Sequence, residues 1–76
     1  MPTRKYDQSL RAEAAEETRR RILDALYARL RERPAEPTSV EEIARAARVS
    51  RSTIYLIFGS RAGLFDALAA ELFRTG

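Results

Sequence analysis

The side chains of this sequence that could do chemistry are hydroxyls, carboxylates and basic groups, because it contains no histidine and no cysteine. Histidine general bases, cysteine nucleophiles, thiolate zinc sites and disulfides are therefore excluded. A group of hydrogen-bonding side chains stands at the start of a short predicted helix, at Arg51, Ser52 and Thr53. An arginine can pair bidentately with guanine, and a threonine methyl can contact the methyl group of thymine. These three residues are our candidates for contact with the base edges of DNA.

Length and composition narrow the function further. The 76 residues allow one small domain, in which a conventional enzyme pocket is hard to enclose. We therefore expect no enzymatic activity, no cofactor and no metal. The lack of cysteine favours a reducing, intracellular setting, and no apolar run approaches the roughly 18 residues of a membrane span. The net charge of +3 is weak for a protein that binds DNA.

Hydrophobic spacing and capping residues predict an all-α chain. Residues 1–9 are predicted to form a flexible N-terminal arm, and residues 10–76 to form one domain. The four predicted helices span about residues 10–33, 40–46, 50–58 and 60–74. The run 53–58 also fits a strand, but the chain has no second strand to pair with it, so we predict a helix.

The caps of the middle helices are predictable from local sequence. Ser39 and Glu42 have the spacing of a capping box, and Ser50 can cap the next helix. The well-buried part of the first helix is expected to start at Ile22, because Arg19 lies within the apolar arc before it. Pro34 is expected to end that helix.

A helix, a tight turn at residues 47–49 and a second helix form the predicted centre of the chain. Small residues at the crossing, Ala44 and Ala47, would let these helices approach closely. This is helix-turn-helix geometry, in which the second helix enters the major groove of DNA. Spacing alone also fits a helical protein–protein interaction module, with Leu56 and Ile57 exposed at its interface. A basic amphipathic helix on a membrane is a weaker alternative, because its polar face carries many acidic residues.

Several segments at fixed spacing together resemble the N-terminal region of TetR-type transcriptional repressors. The segments that carry the resemblance are Thr38-Ser39-Val40-Glu41-Glu42-Ile43-Ala44, Ala47-Arg48-Val49-Ser50, Ser52-Thr53-Ile54-Tyr55, Phe58-Gly59-Ser60-Arg61 and Leu64-Phe65. Ile22-Leu23-Asp24-Ala25 is similar to part of the first helix of that family. The resemblance covers about residues 18–73.

The resemblance implies a three-helix DNA-binding domain followed by a fourth, connecting helix. It implies a bacterial, cytoplasmic, nucleoid-associated regulator that binds double-stranded DNA, acts as a repressor and reads a palindromic operator as a homodimer. The family's second domain, which forms the dimer and binds a small-molecule inducer, is absent from these residues. We therefore expect the chain to be a DNA-binding fragment, with an inducer only if the full-length protein has that second domain.

Candidate phosphate contacts follow from hydroxyls at helix starts, from basic residues and from the resemblance. Hydroxyls and N-terminal amides of helices bind phosphate. The resemblance implies phosphate contacts for Tyr55 and for Arg61, which stands where the family has a lysine. The full set of candidates is Thr38, Ser39, Ser50, Tyr55, Arg61 and Arg48, with Arg4 and Lys5 as possible contacts from the arm.

The chain departs from the family pattern at several positions. Arg48 replaces a usual glycine and is therefore expected to need a left-handed backbone. Val40 replaces a polar residue, and Leu56 and Ile57 replace aromatic residues or histidine. Ala62-Gly63 replaces an acidic pair.

Two further expectations concern residues outside the candidate contacts. Glu41 and Glu42 are expected to act as capping residues on the side of the second helix that faces away from DNA. The apolar arc of the last helix is wider than one core requires, so Leu72 and Phe73 are expected to be partly exposed.

Overall fold

Four helices make up the fold of residues 2–75. The computed structural model describes the backbone of residues 2–75 and the side chains of residues 14–74. The helices are α1 Pro2–Glu32, α2 Val40–Ala47, α3 Arg51–Phe58 and α4 Arg61–Thr75. No strand occurs within residues 2–75, so the predicted all-α class is confirmed and residues 53–58 are helical.

The first helix begins at Pro2, well before the predicted start near residue 10. Proline is tolerated in the first turn of a helix, where its missing N–H would have no partner in any case. Residues after Pro2 contain no further proline and no glycine until the loop that follows α1. The backbone of residues 2–9 is therefore part of α1, which corrects the expected boundary between arm and helix.

The core receives side chains from all four helices. Within α1 it starts at Ile22, as predicted, and residues 14–21 are exposed or half-buried. The largest side chains with almost no exposure are Ile22, Leu26, Ile43, Ile54 and Leu64. Burial of one such side chain stabilises the fold by about 1.5–3 kcal/mol. Because α3 contributes a single fully buried residue to this core, most of its remaining surface faces outward.

A buried arginine fixes the start of α2 against the end of α1. Arg29 is only 7% exposed, and its Nε donates to Glu42 Oε2 at 3.0 Å. Its Nη1 donates to the carbonyl of Arg33 at 3.0 Å, and its Nη2 donates to the carbonyl of Pro37 at 2.8 Å. The guanidinium thus binds two carbonyls of the loop and holds α2 by its first turn.

Two glycines shape the junction between α3 and α4. Gly59 ends α3 with a φ of 86°, a conformation that L-residues rarely adopt. Gly63 lies in the first turn of α4, where a Cβ atom would overlap the backbone carbonyl of Phe58. The absence of a side chain at Gly63 therefore lets α4 start close behind α3.

The end of α4 leaves its apolar side chains in solvent. Leu72 is 45% exposed and Phe73 is 87% exposed, which confirms the expectation from the width of the apolar arc. None of the helices within residues 2–75 combines the length and the apolar character that a membrane span requires.

Candidate nucleic-acid interface

The turn between α2 and α3 is built on a left-handed residue. Arg48 has φ 63° and ψ 44°, as its place in the tight turn predicts. Its amide bonds back to the last turn of α2, and the amide of Val49 donates to the carbonyl of Ala44 at 2.9 Å. This closes the end of α2 and sends α3 off in a new direction. The exposed Arg48 side chain stands at the outside of the turn.

The start of α3 is capped by Ser50, as predicted. The Ser50 Oγ accepts the amide of Thr53 at 3.1 Å and lies 2.9 Å from the Thr53 Oγ1. The two hydroxyls therefore orient each other at the N-terminal turn. Ser50 is exposed and Thr53 is half-buried, so both belong to the rim of the α3 surface.

The outward face of α3 consists of residues opposite its buried one. Ile54 has no exposed surface, whereas Leu56 is 86% exposed and Tyr55 is 41% exposed. Ser52 is also exposed, and it lies one turn before Leu56 on the same face. The side chains of Ser52, Tyr55 and Leu56 are thus presented to solvent by a helix whose other side is fixed in the core.

Arg51 lies at the first residue of α3 and is joined to α2 by an ion pair. Its Nη1 lies 2.9 Å from Glu41 Oε2, and both side chains are more than half exposed. The expectation that Glu41 turns away from the candidate interface is therefore wrong. Successive residues of a helix point about 100° apart, so Glu41 faces α3 while Glu42 faces α1.

The start of α2 carries the predicted capping box. The amide of Glu42 donates to Ser39 Oγ at 3.1 Å, and the amide of Ser39 donates to Glu42 Oε1 at 3.5 Å. The hydrogen bond from Arg29 is the main reason that the pKa of Glu42 lies below its usual value of 4.5. Glu42 is therefore a capping residue that also binds the buried arginine of α1.

Thr38 differs from the other candidate phosphate contacts because its side chain is buried. Only 6% of the residue is exposed, and its hydroxyl has no hydrogen-bond partner within the described residues. The buried hydroxyl is not presented to a phosphate on the surface, and a phosphate contact from the backbone amides at this helix start stays a prediction. The backbone carbonyl of Thr38 instead accepts a hydrogen bond from Arg61 Nη2 at 2.9 Å.

Arg61 connects the start of α4 to the start of α2. Besides its bond to Thr38, its guanidinium stacks over the Phe65 ring at 4.7 Å from the ring centre. These two contacts hold the long side chain in one orientation while the residue stays exposed. Arg61 therefore offers a fixed positive charge beside the exposed capping residue Ser39.

The other basic residues considered as DNA contacts belong to α1. The side chains of Arg4 and Lys5 lie outside the described residues. Three consecutive arginines stand at residues 19–21 of α1, and Arg21 Nε donates to the carbonyl of Ala47 at 3.2 Å, at the end of α2. Arg19 lies near the Phe58 ring and 3.7 Å from Glu71 Oε1. Arg19 and Arg21 therefore bind other helices of the domain.

Sequence reasoning missed two residues that organise the interface, Arg29 and Glu41. Arg29 lies one turn after Leu26, on the buried face of α1. A basic residue at that spacing is the sequence signal that could have indicated a buried arginine. Glu41 gave no signal, because its partner depends on the angle between α2 and α3. Among the described residues, no group of three or more carboxylates could hold a metal ion.

Comparison with known proteins identifies the domain. Residues 22–68, more than half of the chain, match the family model described as bacterial regulatory proteins, tetR family. No curated protein and no solved structure was found that matches the chain. The matched residues include all of α2 and α3 and both capped helix starts described above. The chain therefore belongs to the tetR family of DNA-binding transcription regulators and contains the family's N-terminal DNA-binding domain.

Proposed function

We propose that the chain binds double-stranded DNA with α3 in the major groove. We further propose that it acts in the bacterial cytoplasm as a repressor of transcription. In this proposal it reads a palindromic operator as a homodimer, held by a second domain that these 76 residues do not include. A small-molecule inducer would act through that second domain.

The observation that carries the proposal is the division of α3 into a buried face and a presented face. Ile54 fixes the helix in the core, while Arg51, Ser52 and Leu56 project into solvent. A helix with its backbone fixed on one side fits the width of the major groove, about 12 Å. Thr53, at the rim of the same turn, is a further candidate for base contact.

Phosphate contacts would come from exposed groups on both sides of α3. Arg48 at the turn and Arg61 at the start of α4 provide positive charge, and Tyr55 provides a phenolic donor. Ser39 and Ser50 mark the N-termini of α2 and α3, where free backbone amides favour anions. Thr38 contributes indirectly, because its carbonyl holds Arg61 in place.

A titration of duplex DNA against salt tests the proposal. Each phosphate neutralised by the protein lowers the slope of log K against log salt by about 0.9. Arg48→Gln and Arg61→Gln should therefore each make the slope shallower by about one. Arg31→Gln, the same change at an exposed arginine of α1 outside the proposed contacts, is the matched control and should leave the slope unchanged.

A helical protein–protein interaction module is the alternative function. The exposure of Leu56 and Phe73, at 86% and 87%, favours it. In that case the chain would show no binding to duplex DNA that weakens with salt. The titration therefore separates the two functions.

A fusion tests the role of the dimer. Joining the chain to an unrelated dimerisation segment should raise the affinity for a palindromic duplex, because the second half-site is then bound at high effective concentration. A duplex that carries a single half-site is the control. Equal gains for both duplexes would contradict palindromic recognition.

A further inference from the structure

An exposed ion pair joins the first turn of α2 to the first residue of α3. Glu41 Oε2 lies 2.9 Å from Arg51 Nη1, and Arg51 is the single charged residue of α3. We propose that Glu41 is a positioning residue that holds the Arg51 guanidinium ready for a guanine and so sets the base preference of the domain. This inference rests on the proposed function.

Fold stability does not account for the pair. The side chains of Arg51 and Glu41 are 59% and 63% exposed, and ion pairs at such positions contribute little to folding. The angle between α2 and α3 is already fixed by Ile43 and Ile54 in the core and by the turn at Arg48. The main effect of the ion pair is therefore on the groups that Arg51 can bind.

The geometry of a guanidinium makes this pair useful for recognition. The group is planar and has five N–H donors, so a carboxylate that binds one nitrogen restricts the directions in which the other donors can point. The donors that Glu41 leaves free can still pair with the O6 and N7 acceptors of guanine. A side chain held in this way loses less conformational freedom when it binds a base.

The charge of Glu41 also acts against other modes of binding. The carboxylate lies beside the surface proposed to face DNA, where phosphates would repel it unless Arg51 neutralises it. If Arg51 turned to a phosphate, Glu41 would be left unpaired next to the duplex. The pair therefore disfavours binding in which Arg51 contacts only the DNA phosphates, and it favours sites that offer a guanine. Repulsive elements raise the specificity of other interfaces in the same way.

A selection from a duplex library of random sequence, at low salt, tests the inference with the 76-residue chain joined to an unrelated dimerisation segment. The variants are Glu41→Gln, Arg51→Ala and the double variant, and thermal unfolding of each should match the unmodified chain. Glu32→Gln is the control, because it makes the same change in charge at an exposed position of α1.

We expect the unmodified chain to enrich a motif with a guanine position that Arg51→Ala loses. Glu41→Gln should keep the motif but reduce the preference for guanine at that position roughly fivefold. This loss is a part of the discrimination between bases that a bidentate arginine–guanine pair provides. Glu32→Gln should keep the full preference. In the Arg51→Ala background, Glu41→Gln should have no further effect on base preference.

Three results would overturn the inference while leaving DNA recognition intact. The first is a full preference for guanine in the Glu41→Gln variant. The second is a loss of base preference from Glu41→Gln that is equal in the presence and in the absence of Arg51. The third is a preference for guanine that survives Arg51→Ala. If the unmodified chain enriches no sequence at all, the proposed function fails and the inference fails with it.

Discussion

The nearly buried Arg29 forms an ion pair with the half-buried Glu42, with 3.0 Å between Nε and Oε2, that locks the first turn of α2 to the last turns of α1. The same arginine binds the carbonyls of Arg33 and Pro37, so one side chain organises the whole connection. The start of α2, with its exposed cap Ser39, therefore has a fixed position relative to the core.

Replacement of Arg29 should destabilise the fold strongly. Arg29→Met would leave two carbonyls and the Glu42 carboxylate without their buried donor, at a cost of about 2–4 kcal/mol in the free energy of unfolding. Arg31→Met is the matched control, because Arg31 is exposed and only lies over the Tyr27 ring. Urea denaturation measures both variants, and equal stabilities would refute the role given to Arg29.

Acid should weaken the fold through Glu42. Its hydrogen bond from Arg29 lowers the pKa of Glu42 in the folded state, so the unfolded chain binds the proton more readily. The stabilisation is complete above about pH 5 and is lost as the pH falls through the lowered pKa. Glu71, whose pKa is lowered mainly by Arg74, contributes in the same direction.

The measurement for this prediction is the free energy of unfolding between about pH 5 and pH 3. Glu42→Gln should lose stability less steeply over this range than the unmodified chain. Glu32→Gln controls for the removal of one carboxylate from the surface. An identical pH dependence in Glu42→Gln and in the unmodified chain would speak against the assignment.

Gly63→Ala should destabilise the domain, although alanine is the better helix former. In an open helix this substitution stabilises by roughly 0.5–1 kcal/mol. Here the added Cβ would overlap the carbonyl of Phe58 and push α4 away from α3. Thermal unfolding should show a lower Tm. Ala62→Gly, at the exposed neighbouring position, should lower the Tm only by the loss of helix propensity.

A feature of this fold is predictable from the sequence when the residues that determine it are neighbours along the chain. The capping box of Ser39 and Glu42, the cap at Ser50 and the left-handed Arg48 are local, and each follows from a few neighbouring residues. The pair between Glu41 and Arg51 depends on how two helices cross, so a one-dimensional pattern does not contain it. The sequence predicts an arm over residues 1–9, whereas α1 begins at Pro2, because polar residues without apolar periodicity fit a solvated helical turn as well as an arm.

The candidate contacts show the same limit. The sequence places hydroxyls at helix starts correctly, but it does not distinguish the exposed Ser39 from the buried Thr38 beside it. That difference arises because the side chain of Thr38 turns inward just before the cap.

Tyr55 and Arg51 should differ in how their loss affects DNA binding. Tyr55→Phe removes one phenolic hydroxyl and should weaken binding to all sequences alike, by about 1 kcal/mol. Arg51→Ala should instead relax the preference at one or two base pairs, at about 1–3 kcal/mol for each lost base contact. Competition titrations with selected and random duplexes measure both effects. A uniform loss in Arg51→Ala would reassign it to the phosphate backbone.

Leu72 and Phe73 should matter for association rather than for stability. Both are exposed, so Leu72→Gln combined with Phe73→Gln should change the free energy of unfolding by less than about 0.5 kcal/mol. Sedimentation should show reduced self-association. Leu64→Ala, a fully buried position of the same helix, is the contrasting variant and should cost about 2–5 kcal/mol. A core-like loss in the double variant would show that these side chains are covered in solution.

Methylation interference on a selected duplex tests the central claim, that α3 lies in the major groove, most directly. Methyl groups at guanine N7 project into the major groove, whereas those at adenine N3 project into the minor groove. We predict that N7 methylation within the selected motif blocks binding and that N3 methylation there does not. Interference from N3 methylation alone, or no interference from either, would contradict the account.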